Sequence, residues 1–259
     1  MTTLRRDRLV LAAAPVVFGV AFVTLWELFV VARHIKPFFL PKPSAIWSEM
    51  VANRHEIVKA SRVSGTNALI GLLCGTGLGV LAAFAASRFK LVSELLSPIA
   101  IAVNAIPIIV LVSVFNNMFA VTSSVPRRLM VTMIVFFVVF VNVVKGLTTA
   151  DRTQIELMSS YAASDWDVLR KVRLPNALPF FFTAVKVASS LSVITAFVAE
   201  YFGGLQNGLG YKITSAIANS KDAAGWGYVA AACALGLIFF FAALGLERLA
   251  TPWQPRRSS

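Results

Sequence analysis

Residues 129–150 read LMVTMIVFFVVFVNVVKGLTTA, and the only charged side chain in this run belongs to Lys145. A helix that crosses a lipid bilayer needs about 20 consecutive, mostly apolar residues. The segment therefore predicts a membrane-spanning helix near the middle of the chain.

The composition of the whole chain agrees with a membrane protein. Of its 259 residues, 58% are hydrophobic and only 14% are charged, and the mean hydropathy is +0.76. Soluble domains carry about 25% charged residues, so this excess of apolar side chains excludes a soluble globular enzyme. The 20 phenylalanines exclude a disordered chain. We expect an all-α, polytopic membrane protein whose single transmembrane domain covers residues 1–259.

Six apolar segments meet or approach the length of a spanning helix. They are Leu9–Ala32, Ser64–Ser87, Ser93–Phe119, Leu129–Ala150, Asn176–Tyr201 and Gly225–Ala250. The third contains Pro98 and Pro107, which predict a kink or an unwound turn because proline has no N–H to donate. The first follows three arginines, as a signal peptide would, but its length favours a retained helix.

The charge balance bears on partners and orientation. The chain has 24 Lys and Arg residues against 12 Asp and Glu residues. Most of the cations flank the apolar segments, which favours contact with phospholipid head groups over contact with nucleic acid. Six spans place both termini on one side of the membrane. Cytoplasmic termini put 13 cations inside and 10 outside, so the positive-inside rule predicts that orientation.

The segment between the fourth and fifth spans is polar and helix-prone. Residues 156–179 read ELMSSYAASDWDVLRKVRLPNALP, with a break around residues 162–164. Ser164 followed by Asp167 has the form of a capping box, which predicts the start of a second short helix. The pattern by itself is compatible with a solvated hairpin at the membrane surface or with a functional loop.

This loop resembles the cytoplasmic coupling loop of permease subunits of binding-protein-dependent ABC importers. In that family the loop reads E-A-A, three residues, G, nine residues, I-x-L-P. Glu156, Leu174 and Pro175 match it, and Val172 stands at the isoleucine position. Two residues replace the paired alanines, and Ala162 replaces the glycine. If the backbone there needs a positive φ, alanine costs about 1 kcal/mol.

Three further stretches resemble the nitrate, sulfonate, taurine and thiamine-precursor branch of the same family. They are FLPKPSAIW at residues 39–47, AIPIIVL at residues 105–111 and AEYFGGLQNGLGYKI at residues 199–213. The resemblance implies the type I importer permease fold in a plasma (inner) membrane. It also implies a coupling loop over residues 151–175 that docks on an ATPase. The residues that would take part are Glu156, Ala162, Ala163, Ser164, Asp165, Val172, Leu174 and Pro175.

The resemblance also implies an assembly. Two permease subunits form the pore, and a complete set of features in one chain favours a homodimer. Two ATPase subunits and an extracytoplasmic solute-binding protein complete the complex. The sequence contains no G-x-x-x-x-G-K-[ST] phosphate loop. We therefore expect ATP and Mg²⁺ on the partner subunits, no cofactor or metal on this chain, and no catalytic residue in it.

Polar residues within the spans are candidates for the solute pathway. Lys186 lies eleven residues after Pro175, about 16 Å along the fifth helix, where a lysine must face water, protein or a solute. It attracts an anion, extends to the membrane interface or pairs with a neighbour. Glu200 is a gate or a packing carboxylate. Asn104, Pro107 and Asn116 are further candidates, because an unwound stretch at a proline exposes hydrogen-bonding groups.

The second span carries Gly71, Gly75 and Gly79 at every fourth position. Glycines spaced in this way share one helix face and allow a neighbouring backbone to approach closely. We expect a helix-packing face, which is either static or a sliding surface.

The function predicted in this way is a pore subunit for ATP-driven import of a small anionic or sulfonate-like solute. One alternative keeps the machinery and changes the solute to a thiamine pyrimidine precursor or another neutral molecule. A second is an ion-coupled secondary transporter. A third, a membrane-embedded enzyme, would want a cluster of His, Cys or acidic residues at membrane depth, whereas His34 and His55 both lie outside the spans.

Overall fold

The computed structural model describes residues 2–120, 122–203 and 205–251, without the side chains of residues 2–13, 15, 90, 93, 97, 101 and 104. Over these residues the chain is helical and contains no β-strand. The α-helices are α1 (Thr2–Ala32), α2 (Pro43–Ala52), α3 (Arg54–Arg88), α4 (Lys90–Ala105), α5 (Ile108–Met118), α6 (Val125–Thr148), α7 (Arg152–Ser160), α8 (Asp165–Val168), α9 (Leu174–Tyr201), α10 (Leu209–Ala218) and α11 (Asp222–Ala250). A π-helical turn, Leu169–Arg173, joins α8 to α9. The predicted all-α class is confirmed.

Four of the six predicted spans are single helices long and apolar enough to cross a membrane. They are α3, α6, the continuous helical segment Asp165–Tyr201 and α11. The first predicted span lies within α1, which is helical from Thr2 to Ala32 and whose described side chains include the apolar stretch Val16–Ala32. The third is divided into α4 and α5 by Ile106 and Pro107. The break predicted at Pro107 is therefore observed, whereas Pro98 lies inside α4 without ending it.

The bundle is organised around α6, which packs between α3 and α9. Its buried side chains include Val131, Val135 and Phe140, and the core continues into small residues of α9 such as Ala184 and Ala188. Small residues on the neighbouring helices let backbones approach closely, which is how helices associate without a hydrophobic driving force in lipid.

The glycine face of α3 makes the closest of these approaches to α6. A Cβ added to Gly75 would lie 2.6 Å from the carbonyl oxygen of Thr132, and one added to Gly79 would lie 2.8 Å from that of Phe136. A Cβ added to Gly71 would come equally close to the side chain of Val131. A side chain at any of the three positions would have to push the two helices apart.

The two ends of the bundle differ in structure. The loop that holds α7 and α8 lies at the start of α9, and the short helix α10 follows its end. Since α9 has 28 residues, these features are separated by about 42 Å along the helix axis. At the α10 end, Leu209 and Ile213 pack against Ala60 of α3 and against Tyr228 and Ala231 of α11.

Candidate functional sites

The 151–175 loop begins with a capped helix and then turns sharply. The carboxylate of Asp151 accepts a hydrogen bond of 2.9 Å from the backbone N–H of Thr153, which caps α7. The helix ends at a left-handed residue, Ala162, with φ of +51°. The next N–H, that of Ala163, donates back to the carbonyl of Met158 at 3.0 Å. The positive φ inferred for the family glycine is thus retained here by an alanine.

Ser164 starts the second short helix as the capping box predicts. Its hydroxyl oxygen accepts from the backbone N–H of Asp167 at 3.2 Å, and the hydroxyl donates to the Asp167 carboxylate at 2.6 Å. The same carboxylate lies 3.1 Å from the ammonium of Lys171, one turn later. These contacts cap α8 and join its first turn to the π-helical turn that follows.

Large apolar side chains project from this loop into solvent. Tyr161 is 77% exposed, Trp166 is 67% exposed and Leu157 is 55% exposed. Leu157 and Tyr161 are four residues apart, so they share one face of the chain as it leaves α7. Exposed apolar side chains of this size are common at sites of protein–protein contact. Motif spacing alone did not single out these three residues, although aromatic residues in a polar loop were the available signal.

The predicted coupling residues lie in one continuous segment with two environments. Glu156, Ser164, Asp165 and Pro175 are exposed, whereas Val172 is buried at the π-helical turn. Asp165 lies 3.7 Å from Arg88 at the end of α3, and both side chains are largely exposed, so this pair adds little stability. The segment packs into the bundle at Val172, whereas its residues between α7 and α8 are exposed, among them Ser164.

A buried polar cluster lies at the opposite end of the bundle, centred on Glu200. Its carboxylate accepts hydrogen bonds from the hydroxyl of Ser64 at 2.6 Å, from the N–H of Gly210 at 3.3 Å and from the amide of Asn67 at 3.5 Å. The guanidinium of Arg127 lies 3.8 Å away. Glu200 thus connects α3, α6, α9 and α10.

Arg127 extends the cluster to the segment before α10. Its guanidinium donates to the side-chain oxygen of Asn207 at 2.9 Å and to the carbonyl of Leu205. Among the described residues its Nε finds no hydrogen-bond partner. The N–H of Leu209 donates to Ser64 at 2.9 Å, which ties the first residue of α10 to α3.

Glycine is required where α10 meets this cluster. A Cβ on Gly210 would come into contact with the backbone of Phe197 and Tyr201, and one on Gly208 would overlap the carboxylate of Glu200. Gly208 and Gly210 therefore allow the start of α10 to pack closely against α9. Sequence reasoning selected Glu200 but missed its partners Arg127, Ser64 and Asn67.

Lys186 is paired within the bundle. Its ammonium lies 2.8 Å from the carboxylate of Glu247 on α11, and the two side chains are 23% and 16% exposed. Of the alternatives predicted for Lys186, the structure shows pairing with a neighbour, the carboxylate of Glu247. Glu247 lies near the end of the last span and was not selected from the sequence.

The remaining pathway candidates lie near the divided third span. Pro107 stands immediately before α5, and Asn116 lies near its end. The side-chain nitrogen of Asn116 is buried without a partner among the described residues, and it faces Gly203, whose φ is +143°. Asn104 lies in α4, and its side chain is outside the described part of the structure.

The pKa of Lys212 in α10 is shifted by an acidic partner. Lys212 donates a hydrogen bond of 2.7 Å to Glu56 at the start of α3. This hydrogen bond raises the pKa of the lysine. The pair joins α10 to α3 on the outer surface of the same end of the bundle.

An all-helical bundle with several helices long and apolar enough to cross a membrane, an ordered polar loop at one end and the buried cluster around Glu200 at the other is the architecture of a multi-pass membrane protein. Residues 75–253 match the family described as "Binding-protein-dependent transport system inner membrane component". The chain belongs to this family, whose members have the type I importer permease fold.

Three relatives are similar to this chain over 80–95% of its length. It is 28% identical over 250 residues to the formylaminopyrimidine transport permease protein ThiX of Halalkalibacterium halodurans, covering 95% of this chain and 98% of that protein. It is 25% identical over 207 residues to a probable ABC transporter permease protein of Haemophilus influenzae, covering 80% and 84%. It is 24% identical over 243 residues to the taurine transport system permease protein TauC of Escherichia coli, covering 89% and 86%. The predicted family and branch are confirmed.

Proposed function

We propose that the chain is the pore subunit of an ATP-driven importer and that residues 156–175 dock on an ATPase subunit. The observation that carries this proposal is the loop itself, which is ordered by its own caps and presents Leu157, Tyr161 and Trp166 to solvent. Aromatic anchors in a firmly held loop suit a cleft on a partner, because little entropy is lost when they bind.

The helix that connects this loop to the rest of the bundle supports the proposal that the loop moves as a lever. The segment from Asp165 to Tyr201 is one continuous run of helix, about 55 Å long, with a π-helical turn near its start. A displacement at Trp166 would therefore reach the polar cluster around Glu200. π-Helical turns often occur at functional hinges, and this one lies where the loop meets the bundle.

The assembly proposed is two copies of this chain, two ATPase subunits and an extracytoplasmic solute-binding protein. ATP and Mg²⁺ would be bound and ATP hydrolysed by the partners. The termini and the 151–175 loop would lie in the cytoplasm, and the Glu200 end would face outward. Membership of a binding-protein-dependent family favours this arrangement over an ion-coupled secondary transporter.

Substitutions in the loop test the proposal. Trp166→Ala and Tyr161→Ala should each reduce co-purification with the ATPase subunits and lower transport-coupled ATP hydrolysis, whereas the chain should remain in the membrane. Trp47→Ala, which removes a similarly exposed aromatic side chain from α2, outside the loop, is the matched control. Unchanged ATPase assembly in the double variant Tyr161→Ala/Trp166→Ala would refute docking through this surface.

We propose a small anionic or sulfonate-like solute as the cargo, with Lys186 as the attracting cation. The similarity to a taurine permease supports this class, since taurine carries a sulfonate. A neutral pyrimidine precursor is the second candidate. It is favoured by the pairing of Lys186 with Glu247, which neutralises the ammonium, and by the similarity to a formylaminopyrimidine permease.

Charge changes at this pair distinguish the two cargoes. For an anionic solute, Glu247→Gln should retain or raise uptake and Lys186→Gln should abolish it. For a neutral solute, both single variants should impair the complex alike, because each leaves one charge unpaired, and the double variant Lys186→Gln/Glu247→Gln should restore uptake. Uptake and the amount of assembled complex are measured together.

A further inference from the structure

The first ten residues of α3 extend beyond the span predicted from hydropathy. The helix begins at Arg54, whereas the predicted span begins at Ser64, so this end projects by about 15 Å. The polar head-group layer of a bilayer is about 5–7 Å thick on each side of the hydrocarbon core. Arg62 lies about 3 Å and Lys59 about 7.5 Å beyond Ser64, so both lie at head-group depth. Arg54 lies about 15 Å beyond Ser64 and reaches this layer from its aqueous side through its long side chain.

Cations occupy one exposed face of this extension. Arg54, Val58 and Arg62 are each four residues apart and share that face, with Lys59 beside them, and all four are exposed. The buried residues of this part of α3 lie on the opposite side of the helix and include Ala60, Ser64, Asn67, Ala68 and Gly71. The cationic face is thus turned away from the bundle.

The same face continues as an apolar surface towards the middle of the span. Leu69 and Leu73 follow Arg62 by seven and eleven residues, which places them within about 20° of it around the helix. Both leucines are exposed. A face that is apolar at membrane depth and cationic directly above is the arrangement by which long basic side chains reach lipid head groups.

The cations of this face outnumber the acidic groups beside them. Glu56, the acidic residue of the extension, is paired with Lys212 of α10 and also attracts Lys59. Arg54, Lys59 and Arg62 make no ion pair with any described residue. Together with His55, Val58 and Val63 they line a shallow groove of about 520 Å³. Cations above valine side chains suit a phosphate that is attached to a glycerol and its acyl chains.

We propose that this face is a binding site for the phosphate head group of an anionic phospholipid, held by Arg54, Lys59 and Arg62. A lipid fits better than an acidic protein, because the acyl chains of a lipid whose phosphate lies in the groove would cover Leu69 and Leu73 directly below. The site lies on the helix that supplies Ser64 to the Glu200 cluster, so a bound lipid would contact the element that closes this end of the bundle.

Lipid titration of the purified full-length chain tests the site. Native mass spectrometry in a neutral detergent would compare phosphatidylglycerol with phosphatidylcholine of the same acyl chains. A cation near an anionic lipid contributes about fivefold in affinity, so the triple variant Arg54→Gln/Lys59→Gln/Arg62→Gln should bind phosphatidylglycerol roughly a hundredfold more weakly. Binding of phosphatidylcholine should not change.

Two matched variants keep the result specific. The control Lys36→Gln/Lys42→Gln/Lys221→Gln removes the same charge from other exposed positions and should leave phosphatidylglycerol binding within a few-fold of the parent. The charge-conserving variant Arg54→Lys/Lys59→Arg/Arg62→Lys should also bind it. If the triple glutamine variant does not fold, Lys59→Gln alone should weaken binding about fivefold.

Three results would overturn the site. The first is equal affinity of the parent chain for the two lipids, and the second is an equal loss in the control variant, which would indicate diffuse attraction. The third is dissociation of an oligomer in the triple glutamine variant with unchanged lipid binding, which would make this face a contact between copies.

Discussion

The guanidinium of Arg127 lies 3.8 Å from the carboxylate of Glu200, and both side chains are almost completely excluded from solvent. A buried ion pair gains little net stability when both of its partners are present, but loss of one partner leaves an uncompensated charge in the interior. Hydrogen bonds from Ser64 and Gly210 to the Glu200 carboxylate, and from Arg127 to Asn207, replace part of the water that the two charged groups have lost. The pair therefore determines how the four elements around it fit together.

Removing either charge alone should destabilise the protein. Arg127→Leu and Glu200→Leu should each lower the free energy of unfolding by about 3–5 kcal/mol, and the double variant should lose less than the sum. Thermal unfolding of the detergent-solubilised chain measures the three values. Additive losses would show that the two side chains do not interact.

Restoring the family glycine in the loop should stabilise it. Ala162→Gly removes the strain of an alanine at φ of +51° and should gain up to about 1 kcal/mol. Ala163→Gly is the matched control, because its backbone does not have a positive φ and the change adds only flexibility. Hydrogen exchange of residues 156–168 measures the difference in local stability. Equal exchange rates in the two variants would show that Ala162 is not strained.

The glycine face of α3 predicts a contrast between two glycines two residues apart. Gly75→Ala places a Cβ 2.6 Å from the carbonyl oxygen of Thr132 and should cost about 1–3 kcal/mol. Gly77→Ala meets no atom within 4 Å and should stabilise the helix by about 0.5–1 kcal/mol. Unfolding of both variants in one detergent gives the comparison. A neutral Gly75→Ala would mean that the two helices separate readily.

Orientation is testable by labelling single cysteines in intact cells. Cys74 and Cys233 are both exposed and must first be replaced. Lys42→Cys and Gln206→Cys should then react with an impermeant maleimide, whereas Ser164→Cys should react only after the cells are opened. The reverse pattern would place the 151–175 loop outside and exclude its contact with an ATPase.

The sequence was informative wherever a local rule applied. The hydropathy of residues 129–150 predicted α6 because composition alone decides whether a helix tolerates lipid. Ser164 and Asp167 predicted a helix cap because a capping contact joins residues only three apart in the sequence. Pro107 predicted a break in the helix because proline has no N–H to donate.

Contacts between distant residues could not be predicted in this way. Ser64 meets Glu200 across 136 residues, and Lys186 meets Glu247 across 61. A charged residue in a span shows that a partner must exist, but only the packing of helices shows which residue it is. The start of α3 at Arg54 was missed for a related reason, since hydropathy reports the part of a helix that lies in lipid.

The pairing of Arg127 with Glu200 also has a consequence for synthesis. Ribosomes add about 5–20 residues per second, so Arg127 enters the membrane several seconds before its acidic partner is made. During that interval its position at the third residue of α6 is favourable, because an arginine at a helix end can reach the interfacial water. In the folded chain the same guanidinium is almost completely excluded from solvent beside Glu200. We therefore expect Arg127 to leave the interfacial water only after α9 has been made, so that the earlier helices reach their final places once the fifth span is complete.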